Sequence, residues 1–416
     1  MILRDFALDL ALSILLLPAL SLAQSHRESL TGPSLTGVGS CSSSNCHGAQ
    51  SPRNSSNVLQ NEYVTWAKQD KHSEAYKALL SPKAKRMAHH LGISAAEQDS
   101  RCLSCHSLIS DPKGEQAFRE DGVSCESCHG AASGWLKEHT EAGATHARNL
   151  ENGMSPISEL SALGSTCLRC HLGSGTNEIT HKLYGAGHPQ LSFELDTFLA
   201  LMPPHWNVDQ DYRQRKSEYL PAKTWLFGLR SEALEVLVRA RRLDPESAQS
   251  SDFSIYYCTS CHHALSEQQY LEHEYLSKPG EPRLNISSLL ILNSALFGVS
   301  SGLMSTGEIL HQNDPEALTE YLNDPLSKAL SGAALDRKNL TGIYKGILEY
   351  GQTPTLYYED MEKILMGLSA LESSLPEKNS AKRKNILSKL YKLLEVRGIY
   401  NSAQVRSELE KLSKEL

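Results

Sequence analysis

All ten cysteines of this 416-residue chain fall into five pairs, and the residue after the second member of every pair is a histidine. The triplets are Cys41/Cys46/His47, Cys102/Cys105/His106, Cys125/Cys128/His129, Cys167/Cys170/His171 and Cys258/Cys261/His262. Four read C-x-x-C-H and the first is a wider C-x4-C-H. Covalent haem attachment needs this spacing: two thiols add across the vinyl groups of one porphyrin while the next residue turns its imidazole to the iron. A disulfide framework or zinc ribbons, which pair C-x-x-C units tetrahedrally, are the competing readings. Neither explains the histidine after every second thiol, although the wider first pair favours haem less strongly than the other four. The expected cofactors are therefore five covalent haem c groups, each with its iron, and the five histidines are the expected proximal ligands.

Five haems leave five open iron faces, and the chain has twelve further histidines. His72, with Tyr76 and Leu79, falls at i, i+4 and i+7 of an expected helix over Asn61–Leu80, which would point its imidazole at a buried plane. His139 follows Trp135 by four residues and would share its helical face. His188 sits in Gly185-Ala186-Gly187-His188-Pro189, where glycine permits close backbone approach and proline biases the histidine away from helix. These three are the leading distal-ligand candidates. His146, His181 and His205 lie between motifs without a distinctive setting and rank second. His89 and His90 stand beside Lys85 and Arg86, and His26, His263, His273 and His311 lie at the margins of the motif region or beyond it.

The amino terminus reads as an export signal: Leu10–Leu20 is a short apolar run and Ser21-Leu22-Ala23 offers a small-residue cleavage site. The run is shorter than the about 20 apolar residues of a membrane span, so a periplasmic chain starting near Gln24 is expected in place of an anchored one. The net charge of −7 argues against a nucleic-acid partner, and the 6% aromatic content is low for a core built from side chains alone. Porphyrins would supply the missing buried surface.

The fold expected is mainly α with extensive irregular loops: a haem-packed multihaem cytochrome domain followed by an all-α helical bundle. Its divisions are a signal peptide over 1–23, the cytochrome domain over 24–265 and the helical C-terminal domain over 266–416. Ala131–His139 reads as helix, while Gly173–Thr180 and Met202–His205 read as loops. Tyr219–Leu243 carries apolar residues at helical spacing and reads as a spacer between the fourth and fifth motifs. Glu359–Leu371 and Ala381–Val396 read as bundle helices. Leu284–Gly307 lacks charge, but its serines, asparagines and glycines favour a buried helix or hairpin over a membrane span.

Several of these segments resemble the multihaem cytochromes related to tetrahaem cytochrome c-554. They are Cys41-Ser-Ser-Ser-Asn-Cys46-His47-Gly48, Asp70-Lys71-His72-Ser73-Glu74-Ala75-Tyr76, Gly122-Val123-Ser124-Cys125-Glu126-Ser127-Cys128-His129-Gly130, Gly185-Ala186-Gly187-His188-Pro189-Gln190-Leu191-Ser192-Phe193-Glu194-Leu195 and Tyr257-Cys258-Thr259-Ser260-Cys261-His262-His263. The resemblance spans roughly 37–265. It implies closely spaced haem pairs and crossed ligation, with His72 capping the haem of His171, His139 that of His47 and His188 that of His129. It further implies that the haem of His106 lacks a strong sixth ligand. The chain departs from the tetrahaem pattern in its fifth motif and in having His139 after the third motif.

The leading functional expectation is an electron carrier whose mostly bis-histidine haems pass electrons between redox-protein donors and acceptors. An oxidoreductase acting on a small nitrogen or sulfur oxyanion at one five-coordinate haem, at His106, is the alternative. A docking subunit of a membrane-associated respiratory complex, using the C-terminal helices, is a third.

Overall fold

The computed structural model describes residues 32–53, 58–173, 177–215, 220–242, 252–258, 261–262, 283–312, 314–332, 335–353, 356–375, 380–395 and 401–416. The expected export signal, Gln24, His26, His263, His273 and the 265/266 boundary lie outside them. The chain is mainly α with long irregular connections. Among the described residues, the one backbone bridge outside the helices is an antiparallel pairing of Tyr256 with Leu284.

Two compact units are present, one of residues 32–36 with 129–155, the other of residues 37–128 with those from 156 onward. In the smaller unit the chain ends are stitched by Ser34 and Ser133, where Ser34 N–H donates to Ser133 Oγ (2.7 Å) and Ser133 N–H to Ser34 O (3.1 Å). Ser155 N–H donates to His129 O at 2.8 Å. Gly130 (φ 83°) makes this closure possible, because a side chain there would press on Gly153 O, and positive φ suits glycine.

The larger unit contains a helical core built around Pro221–Arg241 (α1), Ser287–Phe297 (α2), Arg337–Gly351 (α3), Tyr358–Ser374 (α4), Ser380–Leu394 (α5) and Ser402–Lys414 (α6). In α3, Leu340, Ile343, Tyr344, Ile347 and Leu348 repeat at i, i+3, i+4, i+7 and i+8, and all five are buried. Asp336 starts that helix by accepting from Asn339 N–H at 2.9 Å. Helix α6 buries Val405, Leu409 and Leu412 in the same manner. Two glycines permit close helix approach: a Cβ on Gly346 would meet the backbone of Ser294 in α2, and one on Gly367 of α4 would collide with the indole of Trp225 in α1.

Helix α1 forms where the spacer between the fourth and fifth motifs is expected, and it packs into the helical core. Trp225, Leu226, Leu229, Ala233 and Leu237 are buried in one cluster with side chains from α2 to α6. The apolar spacing was visible, but periodicity along one helix does not say which later segments cover it. The uncharged stretch from Leu284 resolves into the eleven-residue, almost wholly buried α2 followed by irregular chain to Ser305. No helix among the described residues is long and apolar enough to cross a membrane.

Two expected helices are broken. Asn61–Leu80 divides into Glu62–Gln69, a 3-10 turn Lys71–Glu74 and Ala75–Leu79. Asp70 causes the interruption: it is extended, and its carboxylate accepts from His72 N–H at 3.0 Å, capping a new turn in place of continuing the old helix. Ala131–His139 forms two 3-10 turns, Ala132–Gly134 and Glu138–Thr140.

Candidate haem-binding site

The motifs occupy short helical turns, which explains their spacing. Cys102, Cys105 and His106 lie in helix Ser100–His106, and Cys125, Cys128 and His129 in helix Cys125–His129. Residues three and four apart share a helical face, so both thiols and the imidazole project together. Cys167 ends helix Leu160–Leu168, and a single π turn, Arg169–Gly173, carries Cys170 and His171. At the fifth motif, Cys261 and His262 N–H groups both donate to Cys258 O, at 3.2 and 2.8 Å.

In the wider first motif the two extra residues are folded away. Cys46 and Gly48 N–H groups donate to Ser43 O, and His47 N–H returns to Cys41 O at 3.1 Å. Gly48 is required here, since a Cβ would fall on the backbone of Ser42.

Motifs meet in pairs within the larger unit. Cys41 and Cys125 hydrogen-bond to each other, as do Cys105 and Cys170, and all ten thiols are free of disulfides. Sharing of one proton holds Cys41 and Cys170 below the ordinary thiol value and their partners above it. Burial pushes Cys102 and Cys128 up to about 11 and Cys167 to about 12. The thiols of motifs one and three, and of two and four, thus come together.

The histidines show how their rings are oriented. His47 Nδ1 lies 2.9 Å from Glu62 Oε2, His72 Nδ1 2.9 Å from Asp70 Oδ1, and His106 Nδ1 2.9 Å from Ala75 O. His139 Nδ1 is 3.1 Å from Trp135 O and His188 Nδ1 2.8 Å from Pro189 O. A ligating histidine ordinarily gives its second ring nitrogen to a carboxylate or carbonyl, which fixes the tautomer and turns Nε2 to the metal. Five of the eight expected ligands have that arrangement. The hydrogen bond that His47 donates to Glu62 raises the His47 pKa and the one that His72 donates to Asp70 raises His72, while burial and the nearby His72 charge bring His171 down to about 4.

His72 and His171 face each other with ring centroids 6.1 Å apart and planes at 82°. Phe193 stacks on His171 at 4.3 Å, and Phe198 lies at 5.6 Å. His139 stands edge-on to Trp135 at 5.4 Å in the smaller unit. The pKa of His188 is lowered mainly by burial. Two residues ranked second in the sequence are drawn to motifs: His205, lowered by burial, lies among Glu62, Asp70 and His47, and His181 lies against His262. Non-local packing brought them there, and no local pattern in the sequence marked either one. His89 and His90 are exposed on helix Pro82–Leu91.

These residues fit haem c. The donor set of paired thiols and Nδ1-anchored imidazoles is that of covalent haem, and the buried Trp135 indole N–H has no acceptor among the described residues. Residues 40–130, which contain the first three motifs, match the family described as cytochrome c554 and c-prime. Over that segment the chain is similar to the cytochrome c554-related family. No curated protein and no solved structure matches it. The matched family is one of c-type cytochromes, so over residues 40–130 the similarity points to covalent haem c with iron and to electron transfer.

A buried carboxylate lies beside the fourth motif. Glu194 is 1% exposed and caps helix Leu195–Leu201 by accepting from Asp196 and Thr197 N–H, both at 2.8 Å. Burial pushes it up to about 7, against the usual 4.5. Its folded pKa is raised, so its contribution to stability is complete below about pH 4.5 and is lost as pH rises through about 7. The loss should reach on the order of 3 kcal/mol by pH 8. Urea titrations at pH 4.5, 6 and 8 should show wild type weakening relative to Glu194→Gln, and a constant difference across that range would exclude this role.

Proposed function

We propose that the chain is an exported, periplasmic electron relay carrying five haems, most of them ligated by two histidines. The observation that carries this reading is the His72–His171 pair. Two imidazoles bound to one metal at about 2.0–2.1 Å each leave their centroids roughly 6 Å apart, and these stand at 6.1 Å with the His72 ring tethered to Asp70. Haem iron supplies a one-electron couple whose potential is tuned by its axial ligands and burial. Two strong protein ligands leave no position for a substrate, which favours relay over bond chemistry.

His47, His106, His129, His171 and His262 serve as proximal ligands, with Cys41/Cys46, Cys102/Cys105, Cys125/Cys128, Cys167/Cys170 and Cys258/Cys261 as attachment points. His72, His139 and His188 act as distal ligands. Phe193, Phe198 and the capped helix behind them hold His171 in place and limit water at its ring. The partners are redox proteins that donate and accept electrons, with a membrane-associated respiratory complex as the setting.

Low-temperature electron paramagnetic resonance of the oxidised holoprotein, with carbon monoxide added to the reduced form, tests this. Five haems per chain, low-spin signals only and no carbon monoxide binding are expected. A high-spin signal with stoichiometric carbon monoxide binding would overturn the relay reading in favour of an oxidoreductase with one open iron.

A further inference from the structure

The fifth motif lies outside the matched residues 40–130, and the resemblance provides no second ligand for it. Opposite His262 stands His181, with ring centroids 6.1 Å apart and planes within 25°. That separation equals the one between His72 and His171, and it leaves room for one metal atom between two imidazoles, which need roughly 6 Å between centroids.

The position of His181 is built, because the lead-in to the fifth motif holds it. Its backbone N–H donates to Asp252 Oδ1 at 2.8 Å. The same carboxylate accepts from Ser254 Oγ at 2.7 Å and pairs with Arg239 of α1 at 3.0 Å. Phe253, next in sequence, places its ring edge against His181 at 5.8 Å. Asp252 therefore joins the start of helix His181–Gly185, helix α1 and the segment that runs into Cys258.

The opposite side of the site is equally fixed. Tyr257, adjacent to Cys258, is buried and donates its hydroxyl to Asp360 at 2.9 Å. Its N–H donates to Arg283 O at 2.9 Å, and the Arg283 guanidinium covers the Tyr257 and Tyr357 rings at 5.9 and 5.4 Å. Both imidazoles are thus presented by anchored backbone and are not meeting by the chance contact of long side chains.

We propose that His181 is the distal axial ligand of the haem held by Cys258, Cys261 and His262, and that Asp252 is its positioning residue. This rests on the reading that the fifth motif carries haem. The ring angles separate this iron from that of His171: near-parallel axial imidazoles give a rhombic low-spin spectrum, whereas crossed ones give a single strongly anisotropic feature.

The test uses full-length holoprotein. Mass analysis of the peptide containing Cys258 and Cys261 first establishes haem on the wild-type motif. In His181→Ala the peptide should keep its haem, the rhombic component should be lost, and one high-spin signal and one equivalent of carbon monoxide binding should appear, with imidazole restoring the low-spin form. His181→Met, which keeps two ligands, should raise one of the five midpoint potentials, because a Met/His iron is easier to reduce. An unchanged spectrum and unchanged potentials in variants that retain the fifth haem would overturn the ligand assignment alone. A wild-type peptide without haem would overturn the five-haem reading and the assignment with it.

Discussion

Serine at both Cys167 and Cys170 is expected to remove one haem in five from the purified protein. The two thiols and His171 lie on consecutive turns, and once the sulfurs are lost the imidazole pair His72–His171 alone would have to hold the group. Haem held in that way extracts into acidified organic solvent, whereas thioether-bound haem stays with the chain. Haem quantification against protein should therefore fall by about one fifth after extraction. The strongly anisotropic low-spin feature should disappear with it, because the crossed His72 and His171 rings produce that feature. Since Cys170 hydrogen-bonds to Cys105, the second motif should be tested in the same variant by peptide mass. Retention of all covalent haem by the double variant would exclude this motif as an attachment site.

Replacing Arg383 with alanine is expected to destabilise the helical core by about 3–5 kcal/mol, the range for breaking a buried ion pair from one side. Arg383 Nε and one terminal nitrogen grip the two oxygens of Glu372 at 2.6 and 3.1 Å, and the side chains are only 5% and 2% exposed. Alanine would leave the Glu372 carboxylate buried without its counter-charge. An apolar double replacement, Arg383→Met with Glu372→Leu, removes both charges and should recover most of the loss. Urea denaturation followed by far-ultraviolet circular dichroism measures all three proteins. Equal stability of Arg383→Ala and wild type would mean that water reaches the pair.

The cysteine pattern is legible in the sequence because each expected attachment pair and its histidine fall within five to seven consecutive residues. The histidine pairings proposed for the distal positions are different in kind. His181 lies 81 residues from His262 in number, and only the Asp252 node and the packing of α1 bring it across. His72 was singled out for sharing a helical face with Tyr76, yet Asp70 ends that helix and sets the ring through a carboxylate–imidazole contact. The i, i+4 pattern thus does not set the orientation of this ring, which the break at Asp70 decides. In α1, periodicity located the helix to within two residues at either end, but its covering partners are contributed by segments far along the chain.

Helix α1 precedes the fifth motif in sequence, whereas the helices that bury its apolar face follow that motif. As the chain emerges from its amino terminus, Trp225 and its neighbours must wait uncovered until α2 to α6 arrive. During that interval Tyr257, next to Cys258, has neither Asp360 nor Arg283 to anchor it. Closure of the helices then locks Tyr257 in place. The anchoring of the residue next to Cys258 is thereby delayed by the connectivity, since Arg283 and Asp360 are both made after the motif they steady.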